Sequence, residues 1–290
     1  MVYKLKDWID PKVLDSVFLN DNKKAVHYLE QNQERINWKM LSLNESAVDF
    51  LQQHLDKVDW TNFSENSEAI HILEKHQDKI NWHHLSLNEK AESLLRDNLD
   101  KVNRFYLSSN PGAIKILDDH PELIDWYYLS ENTEALHLFK KNIDKLDWTT
   151  LSANPGAGPL LEKHLDKINW NMISFNTSEE ALKLIQENLD KVNWNYLCEN
   201  PAAIDIIKAN MHRVNWESLS YNPAGLDLLK NNTEKISWLE ISQNDGCFEL
   251  DKDALKKRIS LFEEELMKTV YHPKRLEYLL TTYGYDLADD

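Results

Sequence analysis

Apolar positions along the chain return on a period far longer than that of one helix or strand. Trp38, Trp60 and Trp82 are 22 residues apart, as are Trp126, Trp148 and Trp170, and again Trp194, Trp216 and Trp238. With the Trp as position 1, units begin at Ser16, Trp38, Trp60, Trp82, Arg104, Trp126, Trp148, Trp170, Trp194 and Trp216, and a decaying eleventh starts at Trp238. A single interval departs from 22: Trp170 to Trp194 is 24, because NTSEEA carries two residues more than NESA. Self-similarity on this period marks a repeat array.

The unit reads approximately W-x-x-L-S-x-N-P-x-A-I-x-L-L-x-x-N-x-D-K-I-N. Asn at position 7, followed by Pro in Asn110-Pro111, Asn154-Pro155, Asn200-Pro201 and Asn222-Pro223, combines a favoured N-cap with a favoured first helical residue. The apolar spacing after it, as in Ala113, Ile114, Ile116 and Leu117, predicts one face of a helix of about ten residues. Asn or His at position 17 (Asn98, His120, Asn142) predicts a stop in left-handed backbone. The recurrent D-K-I forms a turn that points Ile or Val inward. Asn, Asp or Ser at position 22 then caps a second, shorter helix whose Trp and Leu share a face.

Helices this short do not stand alone, so the units must stack to bury their apolar faces. The sequence therefore predicts an all-α, right-handed-type α-solenoid of short helix pairs, with residues 1–15 as an N-terminal cap and ten repeats over 16–237. Residues 238–290 are expected to form a degenerate last repeat and a C-terminal helical cap. At about 8–10 Å per stacked helix, ten units predict a rod or arc on the order of 80 to 100 Å long. Trp8, Pro11 and Leu14 are expected to cover its first unit. The frame is expected to fail at QNDGCFELD, after which Leu255, Ile259, Phe262 and Leu266 mark an amphipathic helix, followed by a short one between Pro273 and Gly284.

Composition agrees with helix: the 290 residues include only 6 Gly and 8 Pro. A formal charge of −16 makes direct binding to phosphate backbones unfavourable and a partner with a basic surface easier to accommodate. Two cysteines, Cys198 and Cys247, are too few for a disulfide framework, which suggests a reducing compartment. No signal-peptide pattern opens the sequence and no apolar run is long enough to span a bilayer, so an intracellular protein without membrane insertion is expected.

LSSNPGAIKILDDH (107–120) and LSANPGAGPLLEKHLDKINW (151–170) resemble the tandem LSxNPxAIxLL…DKIxW repeats abundant in large nucleocytoplasmic DNA viruses of algae and amoebae. The ending HPKRLEYLLTTYGYDLADD is similar to one common among such viral proteins. The resemblance covers about residues 16 to 290. It implies a viral source, in the virion or the host cytoplasm, and carries no activity over to particular residues.

Candidate chemistry is sparse. The sequence holds no G-x-S-x-G, P-loop, G-x-G-x-x-G or HExxH pattern, so neither catalysis nor a cofactor nor a metal is expected. His54, His76, His120 and His164 occupy helix-stop positions, and the adjacent His83 and His84 point in different directions on a helix. Cys198 stands where other units carry Ser and reads as a small replacement. The Trp ladder is expected to be core, with Arg104 reaching the surface where the ladder is interrupted. Positions 2, 3 and 6 vary while the frame is kept. Leu43, Leu87, Phe105, Tyr106, Tyr127, Tyr128, Phe175, Tyr196 and Tyr221 at these positions form the expected partner surface, aromatic and ordered. The function this implies is a non-enzymatic scaffold for another protein, viral or host. The alternative is a structural component of the virion, a cement or spacer, and an enzyme with an unrecognised site is a remote third.

Overall fold

The computed structural model describes residues 2–270 together with His272 and Arg275. It is an all-α protein in which the only strands, among the described residues, are Tyr3–Leu5 and Phe248–Leu250. Two compact units are present, Leu5–Phe248 and Met1–Lys4 with Glu249–Asp290. In the second of these, Asp251 N donates to Val2 O at 3.0 Å, Lys4 pairs with Glu249 at 3.4 Å, and a helix runs over Lys252–Val270. Ile259 is exposed on that helix. Phe262 and Leu266 fall within that helix, their side chains outside what is described, and the short helix expected between Pro273 and Gly284 lies outside the described residues.

The unit Leu5–Phe248 is built from the 22-residue frame. A short helix opens each repeat, such as Arg104–Ser109, Trp126–Leu129 or Trp194–Glu199. Its cap is the one expected: Asp125 Oδ1 accepts from Tyr127 N at 3.2 Å and Tyr128 N at 3.3 Å. Ser237 departs from this, making no side-chain cap bond.

The ten-residue helix expected after position 7 is close to whole in the irregular repeat, where Glu179–Glu187 is one nine-residue α-helix, and is split in others. A 3-10 turn over Pro111–Ala113 is followed by an α-helix over Ile114–Asp119, and Pro201–Ala203 precedes Ile204–Ala209 in the same way. The Asn carbonyl closes the i→i+3 turn, Ala113 N donating to Asn110 O at 3.1 Å, so the first turn is wound tighter than α. Position 9 in this turn approaches the preceding repeat closely. A Cβ on Gly112 would collide with the carbonyl of Glu89, and one on Gly156 with that of Thr133.

The expected left-handed stops are a second correction. His120 has φ −128° and ψ 66°, and Asn142 has φ −138° and ψ 40°. At several of these stops the side chain at position 17 bonds the carbonyl four residues back, Asn142 Nδ2 to Leu138 O at 3.0 Å, Asn188 Nδ2 to Leu184 O at 2.9 Å and His54 Nδ1 to Phe50 O at 2.9 Å, whereas the His120 ring meets Glu122 at 3.1 Å. The D-K-I turn is itself a 3-10 helix, as over Ile143–Lys145.

Two buried polar positions recur along the array, position 5 closing its own repeat, with Ser in most of them, and the Asn at position 7 bonding the repeat before it. Ser130 Oγ donates to Trp126 O at 2.8 Å and accepts from Asp147 N at 3.1 Å, tying the two ends of one repeat together. Asn132 Nδ2 donates backwards to Ser108 O at 3.0 Å and Asn110 O at 2.8 Å, while its Oδ1 accepts from Glu134 N at 3.0 Å. The same backward bonds run from Asn44, Asn88, Asn110, Asn154, Asn176, Asn200 and Asn222. Among the described residues no buried side-chain nitrogen or oxygen lacks a partner, as a low-dielectric interior requires.

The array does not end in two capped faces. The frame expected to fail after Trp238 continues through Cys247: Ser242 Oγ donates to Trp238 O, and Asn244 bonds Ser220 O and Gly246 N. Ser242 then treats the first repeat as its successor. Asp15 N donates to Ser242 Oγ at 2.8 Å, and Asn22 Nδ2 donates to Ser242 O at 3.3 Å. Lys6 N donates to Cys247 O at 2.9 Å, and the rings of Tyr28 and Phe248 meet edge-on at 6.3 Å. The expected rod or arc is therefore a closed ring of repeats within Leu5–Phe248, and residues 5–15 belong to its seam. The short helices of successive repeats lie close together, such as Trp194–Glu199 against Trp216–Tyr221, while most second helices stand further apart, Gly158–Leu161 against Glu179–Glu187 being the exception. In a closed array the closer row is the inner one.

Candidate interaction surface

The short helix presents two faces of opposite character. Position 4 (Leu107, Leu129, Leu197) and position 5 (Ser108, Ser130, Cys198) are fully buried toward the second helix. Positions 2 and 6, one turn apart, share the opposite face with position 3 beside them. Because the short helices form the inner row, that face looks toward the axis of the ring.

The residues expected to form a partner surface are all on this face and none is fully buried. Phe105, Tyr127 and Tyr221 are exposed, whereas Leu43, Leu87, Tyr106, Tyr128, Phe175 and Tyr196 are half-buried. Contacts join them across repeats: Phe175 stacks on Tyr196 with centroids 4.4 Å apart, and Phe105 meets Tyr128 at 5.4 Å. His84 Nδ1 lies 3.3 Å from Glu65 of the preceding repeat and its ring 6.3 Å from Tyr106 of the next. Leu43 and Leu87 lie on the same face but away from the aromatic cluster, which runs from Phe105 to Tyr221.

The carboxylates interleaved with these rings are absent from the expected set. Glu131 lines a pocket of about 370 Å3 with Tyr127, Thr150 and Met172. Glu199, Glu217 and Glu240 line another of about 340 Å3 with Ser218, Tyr221 and Gln243. Burial pushes the Glu131 carboxyl above its usual range; it does the same to Glu199, where a bond from Ser218 partly offsets it. The Tyr221 phenol is pushed up by burial and then by the negative charges of Asp21, Glu199, Asp245 and Glu240. The signal for these carboxylates was present in the sequence, since they occupy the same three positions as the aromatics.

The tryptophans were expected to be core, yet each is only half-buried. Their outer faces are covered by the cation at position 20 of the same repeat: Lys57 over Trp38, Lys101 over Trp82, Lys145 over Trp126 and Lys235 over Trp216, at 4.3 to 4.7 Å from the ring centroid. Lys167, Lys191 and Arg213 cover Trp148, Trp170 and Trp194 likewise. Where Trp is replaced by Arg104, position 20 is Leu123, so cation and apolar group have exchanged places in one repeat. Arg104 is exposed, 3.3 Å from Asp125.

The remaining candidates resolve locally. Cys198 takes the Ser role, accepting from Asn215 N at 3.4 Å, and burial pushes its thiol up, away from the thiolate a nucleophile needs. Among the described residues no group of three His, Cys, Asp or Glu side chains could hold a metal, and no helix is long and apolar enough to cross a membrane. No protein-family model, curated protein or solved structure matches this chain.

Proposed function

We propose that this protein is a non-enzymatic scaffold that binds another protein through the face formed by positions 2, 3 and 6. The observation that carries this reading is the set of aromatic rings between Phe105 and Tyr221, accessible or half-buried on one face and in contact with one another across repeats. Accessible aromatic clusters rimmed by polar groups are favoured protein-binding surfaces. The LSxNPxAIxLL…DKIxW pattern supports a source among large DNA viruses, with the partner either viral or host and the site of action the virion or infected cytoplasm. A structural role as a spacer in the virion is weakened by the closed array, since a rod-like spacer needs two free ends.

The test is affinity purification from infected cells with the intact protein and with Tyr127→Ala/Tyr128→Ala/Phe175→Ala. The triple variant is expected to retain its far-UV circular dichroism and lose its co-purifying protein. Retention of every partner by a folded triple variant would overturn the reading.

A further inference from the structure

The face toward the ring axis is biased in charge as well as aromatic. Across positions 2, 3 and 6 of the eleven repeats it carries Asp21, Glu65, Glu131, Glu199, Glu217 and Glu240, against Lys39 as its only Lys or Arg. The chain as a whole is less one-sided, with 33 basic residues to 49 acidic ones. Glu65 has His84 as a neighbour and Glu199 accepts from Ser218, but among the described residues neither meets a lysine or arginine. Burial raises the Tyr221 phenol most, and the four carboxylates that add to the shift make a field that a bound cation would relieve.

Closure fixes the size of what can enter. Eleven short helices spaced about 8–10 Å apart place their axes on a circle of radius about 14–18 Å. Subtracting a helix radius of about 5–6 Å leaves an opening roughly 16 to 25 Å across, wide enough for one helix of about 10–12 Å or one extended segment with its side chains. A nucleic acid of similar girth is repelled by the carboxylates.

We propose that this opening binds a single arginine-rich segment of a partner protein, its guanidinium groups pairing with Glu131, Glu199, Glu217 and Glu240 and lying against the rings of Tyr127 and Tyr221. Arginine fits this lining better than lysine, because its planar fork pairs with a carboxylate and stacks on an aromatic face at once. Within the chain the guanidinium of Arg213 shows the stacking half of this contact, lying over Trp194 at 4.6 Å while donating to Leu189 O at 2.8 Å. The inference rests on the protein-binding reading above and narrows it to one partner chemistry.

A fluorescein-labelled nona-arginine peptide titrated with the full-length protein at about 0.15 M salt, read by anisotropy, is the test; at that ionic strength charges more than about 8 Å apart are largely screened. One peptide per ring is expected, with nona-lysine at least threefold weaker. Glu131→Gln/Glu199→Gln/Glu217→Gln/Glu240→Gln should weaken nona-arginine at least tenfold. Asp49→Asn/Glu134→Gln/Asp205→Asn/Asp227→Asn, an equal charge change at exposed sites on the second-helix side, should weaken it less than threefold. Should the first quadruple variant fail to fold by circular dichroism, the exposed pair Glu131→Gln/Glu217→Gln replaces it, with threefold weakening expected. Equal weakening by the two sets, multiple peptides per ring, or no saturable binding overturns the proposal. If the peptide fails while the Tyr127/Tyr128/Phe175 variant still loses its partner, the scaffold reading stands and only the arginine-rich partner falls.

Discussion

At the scale of single residues, two buried side chains carry most of the specificity of each joint, and their replacements show what the joint requires. Asn132 satisfies two carbonyls of the preceding repeat and one amide of its own, while fully buried. Asn132→Ala removes all three bonds inside the protein, so a loss of roughly 2–4 kcal/mol in urea denaturation is expected. A loss below about 1 kcal/mol would mean that the ladder is incidental. Cys247 occupies position 10, where the other repeats carry Ala or, at Gly225, Gly, and burial pushes its thiol up to about 12, Lys6 opposing the shift and Asp245 adding to it. In the unfolded chain the thiol ionises near its ordinary value of 9.0. Between those values the unfolded state binds fewer protons than the folded one, so this group's contribution to stability falls as pH rises, by up to about 1.4 kcal/mol per unit. The difference in stability between the wild type and Cys247→Ala should therefore shift against the wild type by about 2–3 kcal/mol from pH 8 to pH 11. A pH-independent difference in paired denaturation curves would contradict the buried, protonated thiol.

At the scale of the element, the repeat carries a compensated exchange that tests how its parts are coupled. Trp at position 1 with a cation at position 20 is replaced, in one repeat, by Arg104 with Leu123. If ring and cation stabilise each other as they do between Trp126 and Lys145, at 4.6 Å, then Arg104→Trp and Leu123→Lys should be non-additive. A double-mutant cycle should give a favourable coupling of about 0.5–1 kcal/mol; additive effects would reduce the Lys–Trp contacts to bystanders. These elements also show what the sequence could tell. The period, the caps at positions 7 and 22 and the buried Leu and Ala were legible, because capping chemistry and burial leave a mark on residue type. The split of the second helix was not, since i→i+3 and i→i+4 winding bury nearly the same residues at this length. The helix stops were misassigned because Asn suits both left-handed backbone and a side-chain bond to the carbonyl four residues back, and only geometry separates the two. The aromatic part of the candidate surface could be read from variation within the frame. Its carboxylates stand at the same varying positions, but only closure, which turns positions 2, 3 and 6 toward a common axis, gives them a shared role.

At the scale of the whole repeat unit, closure is invisible in the sequence for a physical reason: the seam uses the same residue types as every other joint. Ser242 holds Asp15 N as Ser130 holds Asp147 N, at 2.8 and 3.1 Å, although 227 residues separate the first pair and 17 the second. Curvature that brings the last repeat to the first accumulates from small rotations at every joint, none of which needs a distinctive residue. An open array and a closed one then differ in how their ends behave. In an open array the terminal repeats have one neighbour, fray first and tolerate damage cheaply; in a ring every repeat has two. Ser242→Ala and Ser130→Ala should therefore cost about the same, roughly 1–2 kcal/mol for the bonds each Ser makes. Hydrogen exchange supplies the sharper distinction. In the wild type the amides of Lys6 and Asp15 should be protected to within about tenfold of the amide of Asp147, a spread of about 1.4 kcal/mol in opening free energy. Ser242→Ala should raise exchange at Asp15, at the other end of the chain, as Ser130→Ala raises it at Asp147. Rapid exchange at Lys6 and Asp15 in the wild type, or an Asp15 amide indifferent to Ser242→Ala, would show the seam to be open, and with it the shared axis on which the arginine-rich segment depends.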